Sequence, residues 1–184
     1  GNTWVASAFT LAFQVPNLFR RLLGEGALTA AFIPLFKQKE LQEGEPEMWR
    51  AANAVISGLV AAAAAVAGLV MLGITLALAG GSLAVETQLM LRLLRVMFPY
   101  MLLVCLAAVF IGMANARGHF FVPALGAVVL NVIMIGSVLL LAPRLGRRLE
   151  EQIFGLAIGV LLAGLAQAFF QWPSLAREGY RYRW

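Results

Sequence analysis

The chain has 184 residues, of which 61% are hydrophobic and 12% charged, with a mean hydropathy of +0.85. A soluble domain carries roughly 45–50% apolar and about 25% charged residues, so lipid is the expected solvent. Fourteen Lys and Arg against nine Asp and Glu give +5. The basic residues are scattered between apolar runs, with no Lys/Arg-rich block to track phosphates, which argues against a nucleic-acid partner.

Chemistry is bounded as sharply. There is no Asp, one His (His119) and one Cys (Cys105). A metal site wants three or four converging ligands and a disulfide wants two thiols, so no metal site is expected unless glutamates alone build it. A Ser/His/Asp triad is excluded by count, and hydrolytic or redox catalysis is disfavoured. No enzyme and no cofactor are expected.

About 20 apolar residues cross a hydrocarbon core of about 30 Å. Five segments qualify, and all read as helices because open strand edges do not survive in lipid. In chain order they cover about 3–38, 49–79, 86–116, 122–142 and 151–176. The first is interrupted by polar residues around Arg20, Arg21 and Glu25, and the second is nearly pure Ala, Val, Leu and Gly. Between them lie loop signals: Glu43-Gly44-Glu45-Pro46, Gly80-Gly81-Ser82, Arg117-Gly118-His119 and Pro143-Arg144-Leu145-Gly146. The expected class is all-α, a polytopic bundle of five transmembrane helices. The opening Gly1-Asn2-Thr3 has neither an initiator Met nor a charged n-region, and five spans suit a symmetric transporter poorly. A segment of something longer is expected.

Small residues at three- or four-residue spacing, Gly58, Ala62 and Ala65 and then Gly155, Gly159 and Ala163, mark expected close helix packing. Lys37, Lys39, Arg50, Arg117, Arg177, Arg181 and Arg183 fall on one side of the bundle. Arg144, Arg147 and Arg148 fall on the other, with Arg92 and Arg95 near it. The excess places the N-terminus outside and the C-terminus in the cytoplasm.

The informative stretch runs Phe13-Gln14-Val15-Pro16-Asn17-Leu18-Phe19-Arg20-Arg21-Leu22-Leu23-Gly24-Glu25-Gly26. A charge at the bilayer centre costs at least about 2.5–3.5 kcal/mol and normally faces a water-filled cavity. Pro16 removes a backbone donor. Asn17, Arg20 and Gly24 share a stripe, and Arg21 and Glu25 form an i,i+4 pair beside it. Two readings stand. Arg20 or Arg21 holds an anionic headgroup through its planar fork, or the helix breaks near Gly24 and both arginines snorkel to the interface. Further on, Arg92 and Arg95 share a face ahead of a kink expected at Pro99. They read as interfacial anchors together with Tyr100, or as the mouth of a cavity. His119 reads as a solvated loop residue, Asn115 and Asn131 as interhelical hydrogen-bond donors, and Cys105 as a small buried hydrophobe.

The stretch from Phe13 to Gly26, continued by Ala27-Leu28-Thr29-Ala30-Ala31-Phe32-Ile33-Pro34, strongly resembles the signature of the MurJ (MviN) lipid II flippase family. Leu94-Arg95-Val96-Met97-Phe98-Pro99-Tyr100, Phe121-Val122-Pro123-Ala124 with Leu130-Asn131, and Gln171-Trp172-Pro173-Ser174-Leu175 are similar to it as well. The resemblance covers nearly the whole chain, in order. It implies a MOP-superfamily transporter, with residues 1–184 corresponding to spans two to six of the N-terminal lobe, in the inner membrane. It implies that Arg20 and Arg21 face a central cavity and engage the diphosphate of lipid II, the polyprenyl-linked peptidoglycan precursor. Asn17, Pro16, Glu25 and Gly26 would support them. Implied partners are lipid II, membrane lipids and the remaining helices of the same transporter. Ser7 stands where the family commonly has an acidic residue, so no coupling role passes to it. The competing functions are a MOP-type exporter of another polyprenyl-linked saccharide or a drug, and a non-transporting membrane scaffold. With Glu25 the only intramembrane acid candidate, beside arginines, an anionic substrate is favoured over a cationic drug.

Overall fold

The computed structural model describes residues 3–19, 21 and 27–183. Nine α-helices are described: α1 (Thr3–Phe19), α2 (Ala27–Glu43), α3 (Glu45–Ala79), α4 (Val85–Met97), α5 (Tyr100–Ala116), α6 (Phe121–Gly136), α7 (Ala142–Leu145), α8 (Leu149–Phe170) and α9 (Trp172–Arg177). A π-helical turn, Ser137–Leu141, joins α6 to α7. Among the described residues the fold is all-helical.

Among the described residues four helical segments are long and apolar enough to cross a membrane: Glu45–Ala79, Val85–Ala116, Phe121–Leu145 and Leu149–Arg177. Of the expected span over 3–38, the described parts are two helical stretches of 17 residues each, α1 and α2, with residues 20 and 22–26 outside the described residues. At 1.5 Å per residue each is about 26 Å long, short of a core of about 30 Å, and α2 turns polar from Lys37 onward. Helix α1 packs on α4 and α2 packs on α3 and α5. The pair therefore lies along the two halves of the Val85–Ala116 span and traverses the same thickness together. That span is broken as expected at Pro99, which caps α5.

The expected loop over Glu43-Gly44-Glu45-Pro46 shrinks to one residue. Gly44, at φ 86°, supplies the left-handed conformation that ends α2, and Pro46 sits in the first turn of α3, where a missing N–H costs nothing. Likewise Pro143 to Leu145 are helical rather than loop.

The Val85–Ala116 segment is the hub. Its apolar window is 67% buried, against 17% for α3 and 11% for Phe121–Leu145, which face outward. Two apolar clusters lie along it. One gathers Val5, Ala8, Leu93, Met97, Met101 and Val160. The other, toward Arg117, gathers Phe36, Met48, Ile56, Phe110, Met113 and Leu175. Tyr100, expected at the interface, is 1% exposed. The break at Pro99 starts α5 inside the core, and Gly164 leaves room for the ring: a Cβ there would lie 2.5 Å from Tyr100 Cδ2. Cys105 is buried as expected.

Close packing divides the two small-residue stripes. On α8 a Cβ at Gly155 would meet the Ala142 backbone at 2.8 Å, and one at Gly159 would meet Ser137 Oγ at 2.5 Å. This seam is where the chain turns π-helical, and Ser137 Oγ donates to Ile133 O at 2.8 Å. On α3 the expectation fails. A Cβ at Gly58 meets nothing within 4 Å, Ala62 and Ala65 are exposed, and Ala63 and Ala67 are the buried pair. Neither Asn115 nor Asn131 hydrogen-bonds across helices among the described residues. Gln167 does, donating Nε2 to Gly126 O at 3.1 Å.

At the opposite end from Thr3, Arg117 ties three elements together. Its Nη1 lies 2.5 Å from Glu40 Oε1, its Nη2 2.7 Å from Glu45 Oε1, and its Nε 3.1 Å from Glu178 Oε2. The guanidinium carbon stands 5.9 Å from the Trp49 ring centroid. His119, expected to be solvated, is half-buried, with Nε2 2.8 Å from Glu178 Oε1. The Arg117 side chain is only 15% exposed. Burial works against its charge, but the hydrogen bonds from Glu45 and Glu178 outweigh that and hold its pKa above the usual value. Glu178 is held below the usual carboxylate pKa by its hydrogen bonds to His119 and then Arg117. Glu40 is lowered chiefly by its hydrogen bond to Lys37, with the charges of Lys37 and Arg117 adding.

Two outcomes follow from this packing. Gly155→Ala forces the Ala142 backbone to move and should cost about 1–3 kcal/mol. Gly58→Ala should be neutral or stabilising by up to about 1 kcal/mol. Thermal unfolding in one detergent compares them, and equal shifts would dissolve the seam. Glu40 and Glu178, with lowered folded pKa values, stabilise fully above the ordinary value of 4.5. That contribution is lost as pH falls through their lowered values. Arg117→Ala should lower Tm at neutral pH, by a loss on the order of 2 kcal/mol, and flatten the acid limb of the Tm–pH curve. An unchanged acid limb would mean that the cluster carries no stability.

Candidate functional site

Helix α1 is two-faced. Val5, Ala8, Ala12 and Pro16 are buried and recur every three or four residues, forming the face that meets α4, α5 and α8. Thr3, Ser7, Thr10, Gln14, Asn17 and Arg21 also recur every three or four residues. At 100° per residue they fall within an arc of about 80°, opposite the buried face. Asn17 is half-buried and the other five are exposed. A polar stripe thus runs the length of α1 on the side turned away from the bundle, and the exposed Arg21 lies just beyond the helix end.

The hydroxyls on this stripe are tied back to the helix. Ser7 Oγ donates to Thr3 O at 3.0 Å and Thr10 Oγ1 to Ala6 O at 2.9 Å, leaving oxygen lone pairs directed outward. At its start the stripe borders a cavity of about 450 Å3, where Thr3 and Ser7 face Glu86 and Thr87 across Trp4 and Met90. Arg92 borders a separate cavity with Glu150 and Glu151, and Arg92 and Arg95 are both exposed. Arg92 therefore fits the cavity-mouth reading, without Tyr100 as its interfacial partner.

Of the residues singled out from sequence, Pro16 belongs to the packing face, and Asn17 and Arg21 belong to the polar stripe. Arg20, Glu25 and Gly26 lie outside the described residues. The earlier members of the stripe were not joined to it: Thr3 and Thr10 were missed, and Ser7 and Gln14 were noted for other reasons. Their three- and four-residue spacing is the signal that finds them, but it is diluted by apolar neighbours on both sides. Among the described residues no cluster of three or more His, Cys or Glu side chains is placed to hold a metal ion. The carboxylates of Glu40, Glu45 and Glu178 converge on Arg117 instead.

The arrangement presents a polar surface on one side of α1 with one exposed guanidinium beyond its end. A stripe of this kind cannot lie against acyl chains without a penalty of several kcal/mol. It offers hydrogen-bond acceptors, an amide and a guanidinium, and no general acid or base set.

Comparison with known proteins accords with this picture. The family model for "Lipid II flippase MurJ" matches residues 1–184. A protein of Bdellovibrio bacteriovorus named "Probable lipid II flippase MurJ" is 37% identical over 186 residues, covering 96% of this chain and 34% of its own length. The "Lipid II flippase MurJ" of Burkholderia cenocepacia is 32% identical over 183 residues, with 96% and 34% covered. A solved structure titled "Lipid II flippase MurJ, inward closed conformation" shares the fold. Its TM-score is 0.78 at 23% identity, over 98% of this chain and 37% of that one. The chain spans about a third of the length of the curated relatives it matches. It is a multi-pass membrane protein that belongs to the MurJ lipid II flippase family.

Proposed function

We propose that this chain forms part of the N-terminal lobe of a transporter that moves lipid II across the bacterial inner membrane. The observation that carries the reading is the polar stripe of α1 with Arg21 just beyond its end, set in a protein of this family. Arg20, by its match to the family signature, and Arg21 bind the diphosphate of the lipid-linked headgroup. Asn17 lies on the same stripe, and Glu25 and Gly26 belong to the same motif. Arginine suits this task because its planar fork matches two phosphate oxygens at once and stays charged when dehydrated.

The sequence of events is binding, reorientation and release, with no bond made or broken. The headgroup enters a cationic cavity from the cytoplasm, where paired guanidiniums offset its lost hydration. Rearrangement of one lobe against another exposes it to the other side while the polyprenyl tail stays in lipid. Net direction requires different affinities in the two states. The Lys/Arg distribution supports an orientation with the N-terminus outside and the Arg117 end in the cytoplasm. With no Asp and a single His, the composition favours a transporter over an enzyme. The other helices of the lobe and of its partner lobe are the expected intramolecular partners.

Growth rescue tests the reading. The gene encoding the chain is supplied to a bacterium depleted of its own lipid II flippase, with and without Arg20→Ala plus Arg21→Ala, at matched membrane levels. Rescue by the unaltered gene and at least a tenfold loss of plating efficiency in the variant are expected. Equal rescue would remove the headgroup role from the arginines. Failure of the well-expressed unaltered gene would move the substrate to another polyprenyl-linked saccharide, or the protein to a scaffold role.

A further inference from the structure

Residues 178–183 do not trail from α9 but fold back along the start of α3. Tyr180 is 2% exposed, with its ring centroid 5.4 Å from that of Trp49 and 5.5 Å from that of Trp172. Asn53 Nδ2 donates to Arg181 O at 3.1 Å, and the hydroxyls of Ser57 and Tyr182 are 3.3 Å apart. The strap is therefore held by backbone and ring contacts, not by its arginine heads. It brings Arg181 and Arg183 to the rim of a cavity of about 210 Å3, opposite Arg50 and beside Trp49 and Asn53.

The charge and polarity of this cavity are distinctive. Three arginines line it; of the neighbouring carboxylates, Glu47 pairs with Arg50, whereas Glu45 and Glu178 are taken by Arg117. Arg50 keeps 76% of its side chain exposed, so its head remains available. Asn53, 8% exposed, spends its Nδ2 on the strap, and its Oδ1 is sealed from solvent. The site lies at the end of α3, the span whose apolar window is only 17% buried and so faces outward. Trp49 lines it and the exposed Tyr182 stands between Arg181 and Arg183 in the chain, residue types that settle at headgroup level.

We infer that this cavity is a binding site for the phosphate of an anionic phospholipid. The arginines take the phosphodiester oxygens. Clusters of basic side chains at the end of a span recognise anionic lipid in this way. The acyl chains lie along the exposed face of α3. The site is apart from the α1 stripe, and it stands whether or not the protein carries lipid II.

The test uses the protein as expressed from its gene, purified in a neutral detergent and titrated with phosphatidylglycerol, phosphatidylcholine or glycerol phosphate. Bound lipid is counted by native mass spectrometry, and thermal protection is recorded in parallel. Phosphatidylglycerol should be retained and should raise Tm, whereas phosphatidylcholine and glycerol phosphate should not at equal concentration. Arg181→Gln with Arg183→Gln should weaken retention about tenfold or more. Arg50→Gln alone should weaken it less. Arg144→Gln with Arg147→Gln, removing equal charge at the opposite end, should leave retention unchanged. Lipid-free Tm checks that each variant is folded. Equal protection by glycerol phosphate would make this a free-anion site and overturn the lipid assignment. Equal losses from the two double variants, or none from Arg181→Gln with Arg183→Gln, would overturn the site.

Discussion

A guanidinium never gives up its proton in a protein, so in a chain whose solvent is lipid every arginine must be given carboxylates, water or the interface. This one constraint organises much of the structure. Arg117, 15% exposed, receives carboxylates from α2, from α3 and from the segment after α9. Arg21 continues a polar stripe on the outward side of α1. Arg50, Arg181 and Arg183 line one cavity at the start of α3. Each solution uses a different element, and each leaves a distinct trace in the fold.

The Arg117 cluster matters beyond its own ion pairs because of what it connects. Lipid chains are as apolar as leucine, so burial alone does little to hold helices together, and close packing and polar ties carry more of the work. Glu45, more than half exposed, adds little by itself. Glu40 and Glu178, about a quarter exposed, are the stronger partners. Together they fix the α2–α3 turn and the α9 end to the tip of α5. With the tail pinned there and Tyr180 seated among Trp49, Phe110 and Trp172, the chain has no choice but to run back along α3. The basic cavity is a consequence of that path. At the other end the same economy appears as the glycine seam between α8 and the π-helical turn, where backbones touch because side chains are absent.

What could be read from sequence tracks how local the cause is. The spans of α3, the α4–α5 pair, α6–α7 and α8–α9 follow from hydropathy, and the break at Pro99 from the chemistry of one residue. Which face of α3 is buried was not legible. Nearly every position there is small and apolar, so Gly58, Ala62 and Ala65 look as suited to packing as Ala63 and Ala67. Only the neighbouring helices decide. The shortening of the Glu43–Pro46 loop to Gly44 was missed because the same residues that punctuate loops also cap and start helices. The Arg117 cluster joins residues 61 to 77 positions apart. Its one sequence trace is that the charged ends of three segments were assigned to the same side of the membrane. In the candidate site, Asn17 and Arg21 were legible as misplaced polarity, whereas Ser7 and Thr10 pass for ordinary span residues, their hydroxyls satisfied by the preceding turn.

The α1 stripe poses a problem that these 184 residues do not solve internally. Its buried counterpart, Val5, Ala8, Ala12 and Pro16, already meets the bundle, so a rotation that hid the polar side would expose the packing side and gain nothing. Lipid against Arg21 alone would cost at least about 2.5–3.5 kcal/mol, with Gln14 and Asn17 adding to it. The remaining covers are water or polar protein. A water-lined surface along one helix needs a second wall to become a cavity, and relatives of this chain are about three times its length. The geometry thus asks for an opposing surface, and a surface that could approach and withdraw would alter the hydration of Arg21. Changing hydration changes the affinity of a guanidinium for phosphate, because the Coulomb attraction rises as the local dielectric falls. Two affinities for one headgroup, set by whether the second wall is near or far, is the difference that directional transport requires.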